Sequence, residues 1–193
     1  MIAEAVPYED FWFHDGPWTE EDYLRIPPGG PKIELVDGRL VVSPAPRQAH
    51  QRLMRRLANL LEAQAPDDLA VEVELNVRIG PEKILIPDVV ATYEQGDDVL
   101  VHHPAEILLV VEVLSPSNKG QDWVYKNHLY SVARIPWYLL VEVDENDERP
   151  TLILQRLGSG HYNEVARATC GETLQLPDPF GEVDPADLLK RRP

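Results

Sequence analysis

The sequence predicts a mixed α/β (α+β) fold with one central sheet. Two observations lead there. The apolar patterning reads, in order, as helix, hairpin, helix, several strands, helix, strand and hairpin, a sequence of elements that builds a sheet with helices packed on it. The chain has 193 residues with a hydrophobic fraction of 44%, enough for one core of ordinary size and too little for two. Residues 1–193 are therefore expected to form a single domain, with residues 1–17, which show no clear period, as a peripheral arm.

Each element has its own signal. Thr19 before Glu20, Glu21 and Asp22 reads as a helix start, with a capping hydroxyl and then acids at the positive end of the dipole. That helix ends before Pro27-Pro28-Gly29-Gly30. Ile33 to Val36, Asp37-Gly38 and Leu40 to Val42 read as a hairpin, because Asp-Gly accepts the positive φ of a tight turn. Arg47 to Gln64 is predicted helical from Leu53, Leu57, Leu60 and Leu61, and Pro66 stops it. Val71, Val73, Leu75, Val77 and Ile79 alternate with polar residues, as one half-buried strand does. Ile84 to Thr92 and Ile107 to Leu114 are denser apolar runs, as expected of central strands. Ser117 is a candidate cap for a helix running to about Ala133, and Trp137 to Val143 is a further strand. Thr151 to Leu157 and His161 to Ala168, joined by Gly158-Ser159-Gly160, form a second hairpin. Asp184-Pro185 opens a last short helix, and Lys190-Arg191-Arg192 places cations at its end.

Composition removes several classes. Cys170 is the one cysteine, so no intramolecular disulfide forms, and the six histidines show no finger-like zinc spacing. The N-terminus lacks the basic and apolar regions of a signal peptide, and no apolar run approaches the ~20 residues of a membrane span. The expectation is a cytoplasmic protein without a membrane partner. Asp and Glu number 33 against 18 Lys and Arg, for a net charge of -15, which is the reverse of a generic basic nucleic-acid binder.

No phosphate-binding loop, dinucleotide fingerprint, HExxH or nucleophile elbow is present. The informative residues are acids on apolar strands. Asp88 follows Ile86-Pro87 and precedes Val89-Val90, and Glu112 lies between Val111 and Val113. A carboxylate there needs a cation, hydrogen bonds or a metal to offset its burial. On neighbouring strands the two would repel, and Mg²⁺ or Mn²⁺ would relieve the repulsion while polarising a phosphodiester and activating water. A lysine nearby would orient that water or stabilise developing charge, and Lys126 is on the helix after Glu112. Each residue also has a purely structural reading: a solvated edge or an arginine partner for the acids, and an i,i+4 pair with Asp122 for Lys126.

Pro87-Asp88, followed by Glu112-Val113-Leu114-Ser115-Pro116-Ser117, resembles the PD-(D/E)XK nuclease superfamily, and more narrowly the Uma-type family of restriction-endonuclease-like proteins. Ile33 to Gly38, Val41 to Pro46, His50-Gln51, Lys126 with Leu129-Tyr130, and Ile135 to Val141 continue the pattern over roughly residues 19–145. The resemblance implies a restriction-endonuclease-like fold, a mixed central sheet flanked by helices with a metal site at one end. It implies catalytic roles for Glu34, Asp88, Glu112 and Lys126, with Asp88 and Glu112 binding the metal. Glu34 would add a carboxylate to the cluster or to a second cation; pairing with Arg39 across the hairpin is its structural alternative. The chain departs from the superfamily at Leu114, where a lysine is expected; Lys126 matches a lysine displaced onto the following helix.

The expected function is that of a Mg²⁺- or Mn²⁺-dependent endonuclease hydrolysing phosphodiester bonds in DNA. Arg52, Arg55 and Arg56 share one side of a helix that begins near Arg47 and His50, and are candidates to track a phosphate backbone. His50 is a candidate for a phosphate contact or proton transfer, or a surface residue. Many nucleases of the superfamily are dimers, so by analogy a homodimer stays open; nothing in the sequence fixes the oligomer. Two other functions stay open: a non-catalytic binding or assembly module on the same fold, and a metal-dependent hydrolase of another phosphorylated substrate.

Overall fold

The computed structural model describes residues 14–93, 96, 98–114, 121–143 and 149–190, with backbone alone at 121 and 122. Residues 1–13 of the expected arm, Ser117 with its cap and motif, Arg191 and Arg192 lie outside the described residues, as does the side chain of Asp122.

Thr19 caps α1 (Glu20–Leu24) in a reciprocal box with Asp22. The predicted hairpin follows as β1 (Ile33–Val36) and β2 (Arg39–Val42), paired antiparallel. Asp37 and Gly38 turn it at φ 50° and 72°. A Cβ on Gly38 would meet the Pro17 Cβ at 2.8 Å, so glycine is required there for space as well as for conformation. α2 (Gln48–Glu62) buries Leu53, Leu57 and Leu61, as its spacing predicts.

The next stretch corrects two expectations. Residues 71–79 do not form one strand. β3 (Leu69–Val73) and β4 (Val77–Gly80) belong to different sheets, and Val73 is 43% exposed. Glu74 stands between them at φ 53°, where the strand breaks. Asn76 holds the bend: its amide donates to Leu100 O at 3.1 Å and its Oδ1 accepts from the Tyr23 hydroxyl at 2.8 Å. Residues 84–92 divide in the same way into β5 (Lys83–Leu85) and β6 (Val89–Tyr93), with Ile86-Pro87-Asp88 as the crossing. Proline cannot donate to a strand ladder, so pairing stops where Pro87 stands. An apolar pattern continues across both breaks, alternating over 71–79 and dense over 84–92, and so reads as one strand in each case.

β7 (Ile107–Leu114), α3 (Gln121–Val132) and β8 (Trp137–Val143) form a parallel crossover unit. β9 (Pro150–Leu157) and β10 (Tyr162–Ala168) are the second hairpin, and Asp184 caps a short 3-10 turn at Pro185–Leu188. A further pair, β11 (Leu174–Gln175) and β12 (Glu182–Val183), is too short to have left a periodic signal.

The main sheet has six strands in the order β10-β9-β8-β7-β6-β3, and a four-stranded sheet runs β2-β1-β5-β4. Among the named strands, only β7 and β8 pair in parallel. Val89, Leu109, Val111, Val113, Leu139 and Val141 pack beneath α2 and the C-terminal segment. Val90, Val110, Leu114, Tyr138 and Leu140 pack on the other face with Leu129 and Tyr130 of α3. Glu112 alternates with Val110 and Leu114, so it points to the α3 face. None of the described helices is long and apolar enough to cross a membrane.

Candidate active site

The site lies where the two sheets meet. A cavity of about 810 Å³ is lined by Lys32, His50, Asp88, Glu112, Leu114 and Lys126 among others, with Pro28–Pro31 and Ser43–Pro46 along its wall. The two strand breaks make it: the Ile86-Pro87-Asp88 crossing leaves the Asp88 side chain between sheets.

Asp88 is 3% exposed. Its backbone N–H donates to Val111 O at 3.1 Å. Its Oδ2 accepts from the Val113 N–H at 2.8 Å, and His50 Nε2 stands 3.3 Å from the same oxygen. Its Oδ1 accepts from Lys32 Nζ at 2.8 Å. Burial opposes ionisation, but His50 and Lys32 together outweigh it and hold the carboxyl well below the usual range.

Glu112 is set differently. Its Oε1 accepts from the Tyr130 hydroxyl at 2.6 Å and from Lys126 Nζ at 3.2 Å. Burial pushes its pKa up and Asp88 adds to the rise, against the opposing pull of Lys126. Burial likewise raises Tyr130 well above its ordinary value, so the phenol stays a neutral donor. Lys126 also donates to Glu34 Oε1 at 2.9 Å, and that oxygen accepts from the Ile86 N–H at 2.9 Å. Lys126 therefore reaches the acids from α3, as a lysine displaced from position 114 would have to.

Residues 20–188 match the model of the family described as "Uma2: Putative restriction endonuclease". The chain belongs to the Uma2 family. A crystal structure of "a putative nuclease belonging to DUF820" from Anabaena variabilis is similar over 89% of this chain and 97% of that one, with a TM-score of 0.65 and 20% identity. At that identity the likeness establishes the fold, which is restriction-endonuclease-like. No curated protein matches the chain.

In this Uma2 chain the four residues expected at the site stand together, but not as equals. Asp88, Glu112 and Lys126 line the cavity. Glu34, 2% exposed, is turned to Lys126 and the Ile86 amide rather than to Arg39. Of the predicted basic face, Arg52 and Arg55 are exposed on α2, while Arg56 donates to Leu188 O at 2.6 Å and tethers the C-terminal turn. Arg47 is at the cavity wall. Trp137 packs under the Arg156 guanidinium, 5.4 Å from its ring centre.

Among the described residues, no three His, Cys, Asp or Glu side chains gather to hold an ion. The donor set still fits Mg²⁺ or Mn²⁺, because such ions take one or two carboxylates and complete their shell with water and phosphate oxygens. Asp88 is held ionised, and Glu112 Oε2 has no partner among the described residues.

Two members of the site escaped sequence reasoning. Lys32 reads as a solvated lysine beside a proline. The Ser43 N–H donates to Lys32 O at 2.9 Å, extending the hairpin by one step, so Lys32 and Glu34 share a strand face. Counting back two residues from Glu34 was the signal available. Tyr130 is fully buried in the core, and its hydroxyl donates to Glu112.

Proposed function

We propose that this Uma2 protein is a metal-dependent endonuclease hydrolysing phosphodiester bonds in DNA, with residues 1–193 acting as one domain. One observation carries the reading: an acid at the crossing into β6 and an acid on the neighbouring β7 line a common cavity, with a lysine from the following helix on one of them. Asp88 and Glu112 would hold Mg²⁺ or Mn²⁺. When bound, the ion supplies positive charge at the phosphate and lowers the pKa of an attacking water. The chain's own residues prepare that place. Val113 N–H and His50 fix Asp88, and Lys126 and Tyr130 fix one oxygen of Glu112, leaving the other without a hydrogen bond among the described residues. Glu34 acts on Lys126, as a positioning residue. Arg47, Arg52 and Arg55 are the cations nearest to hand for a nucleic-acid backbone, against a field set by a net charge of -15.

That charge, together with the lysines that satisfy both acids, favours a second reading: a non-catalytic binding module on the nuclease fold. A nicking assay on double- and single-stranded DNA across Mg²⁺ and Mn²⁺, with Mn²⁺ binding followed by calorimetry, separates the two. Cleavage that disappears in Asp88→Asn and Glu112→Gln supports the nuclease. Absence of both cleavage and Mn²⁺ binding in the wild type removes it.

A further inference from the structure

The site holds two lysines where the family pattern uses one, and they are not equivalent. Lys126 Nζ is spent on fixed partners: it donates to Glu34 Oε1 and Glu112 Oε1, and its side chain is 8% exposed. Lys32 donates to one carboxylate oxygen, Asp88 Oδ1, and its side chain is 16% exposed at the cavity wall. An ammonium has three donors, and Asp88 Oδ1 is the one acceptor that Lys32 Nζ meets among the described residues, which leaves two N–H groups for a ligand in the cavity. Its stem leaves the chain one residue ahead of β1, so it reaches the cavity from a different element than Lys126 of α3. It stands 2.8 Å from Asp88, the acid that the cavity shares with Glu112.

We propose that Lys32 is the substrate-facing lysine of this site: its free N–H groups contact a non-bridging oxygen of the scissile phosphate, while Lys126 is a positioning residue that fixes Glu112. The inference rests on the phosphodiesterase reading above and assigns one contact within it. No bond to Lys32 forms or breaks; its charge offsets the negative charge that gathers on the phosphate as water attacks. It also places the phosphate next to Asp88, because the same Nζ bridges the two.

The test compares wild type, Lys32→Ala, Lys32→Gln and Lys32→Arg in single-turnover cleavage of a DNA oligonucleotide in Mn²⁺, over a range of salt, with Mn²⁺ affinity measured by calorimetry. A lost charge-assisted contact predicts a fall of about 10- to 100-fold in kcat/KM for Lys32→Ala and Lys32→Gln, with Lys32→Arg recovering most of it. The slope of log kcat/KM against log salt should shrink by about 0.7 to 0.9 for the two neutral variants and stay unchanged for arginine. Mn²⁺ affinity should hold or tighten, since Asp88 loses a competitor. Should Lys32→Ala not fold, Lys32→Gln carries the same readings, because its amide can still donate to Asp88. Cleavage kept in the neutral variants overturns the inference and leaves the nuclease reading standing. Cleavage and Mn²⁺ binding lost together also overturn it, because Lys32 would then serve only to hold Asp88. A wild type that cleaves nothing overturns both.

Discussion

Asp88, just ahead of β6, and Glu112, on the neighbouring β7, share one cavity, yet the two halves of the site are built on different principles. Around Asp88, the partners come from far along the chain: Lys32 ahead of β1, His50 on α2 and the Val113 amide on β7. Against the opposing effect of burial, His50 and Lys32 pull its pKa down and favour the charged form. Around Glu112, the partners come from one helix, Lys126 and Tyr130 of α3, and burial pushes its pKa up despite them. One acid is pulled toward its anion by partners from far along the chain; the other is pushed toward its protonated form by burial, against the pull of a lysine from one helix. Pairs of titratable groups pushed apart in this way mark functional sites more often than structural ones.

The sharpest way to separate the halves is to remove the charge from each. Asp88→Asn and Glu112→Gln should each lower the cleavage rate by roughly 10²- to 10³-fold, read in single-turnover assays, if both acids act on the reacting phosphate. Next in size is the cation that belongs to one half alone. Lys126→Ala leaves Glu34 and Glu112 buried without it and should cost about 3 kcal/mol in urea unfolding. Adding Glu34→Gln to that variant should restore part of the loss, and no recovery would show that Lys126 does not link the two acids.

Much of this was legible in the sequence. Trp137 to Val143 is predicted and found as β8, because a dense apolar run in the middle of a sheet has no competing structure. Asp88, Glu112 and Lys126 were found because charge on apolar strands is costly and the family pattern fixes their order. Residues 71–79 misled because alternation records which face is buried, not which sheet buries it. Val71 and Val77 are both buried, but in different sheets. Lys32 was missed because its partner is 56 residues away, joined only by the tertiary fold.

Tyr130→Phe is a smaller perturbation of the Glu112 half. Losing a hydroxyl bond to a carboxylate should cost about 1.5 kcal/mol and weaken Mn²⁺ binding several-fold, with the circular dichroism spectrum unchanged. The pH response should then differ in sign between the halves. Asp88 has a depressed native pKa, so its charge stabilises the fold above its unfolded value of about 3.9, and that gain is lost as pH falls further. The destabilisation of Asp88→Asn relative to wild type should therefore shrink in acid. Glu112 has a raised native pKa, so its contribution is present below about 4.3 and declines as pH rises through the native value. Wild type should lose ground to Glu112→Gln as pH rises. Thermal melts across pH 3 to 7 read both slopes, and slopes of the same sign would dissolve the distinction. The smallest effect lies outside both halves: Arg52→Ala with Arg55→Ala should weaken oligonucleotide binding about threefold and flatten its salt dependence, without changing stability.

The hydrogen bond from the Val113 N–H to Asp88 Oδ2 has a consequence for ancestry. β6 leaves the ladder at Pro87, and the carboxylate takes over the pairing that the backbone abandons. On the proposed nuclease reading, position 88 is thus selected twice, once for chemistry in the cavity and once as a surrogate main-chain acceptor. A descendant that gave up cleavage would still be held to Asp or Asn here, since alanine would strand a buried amide. Retention of an acid or amide at this position in a relative records inheritance of the fold. The acid at position 112, whose oxygens relieve no strand amide, is the better witness to activity.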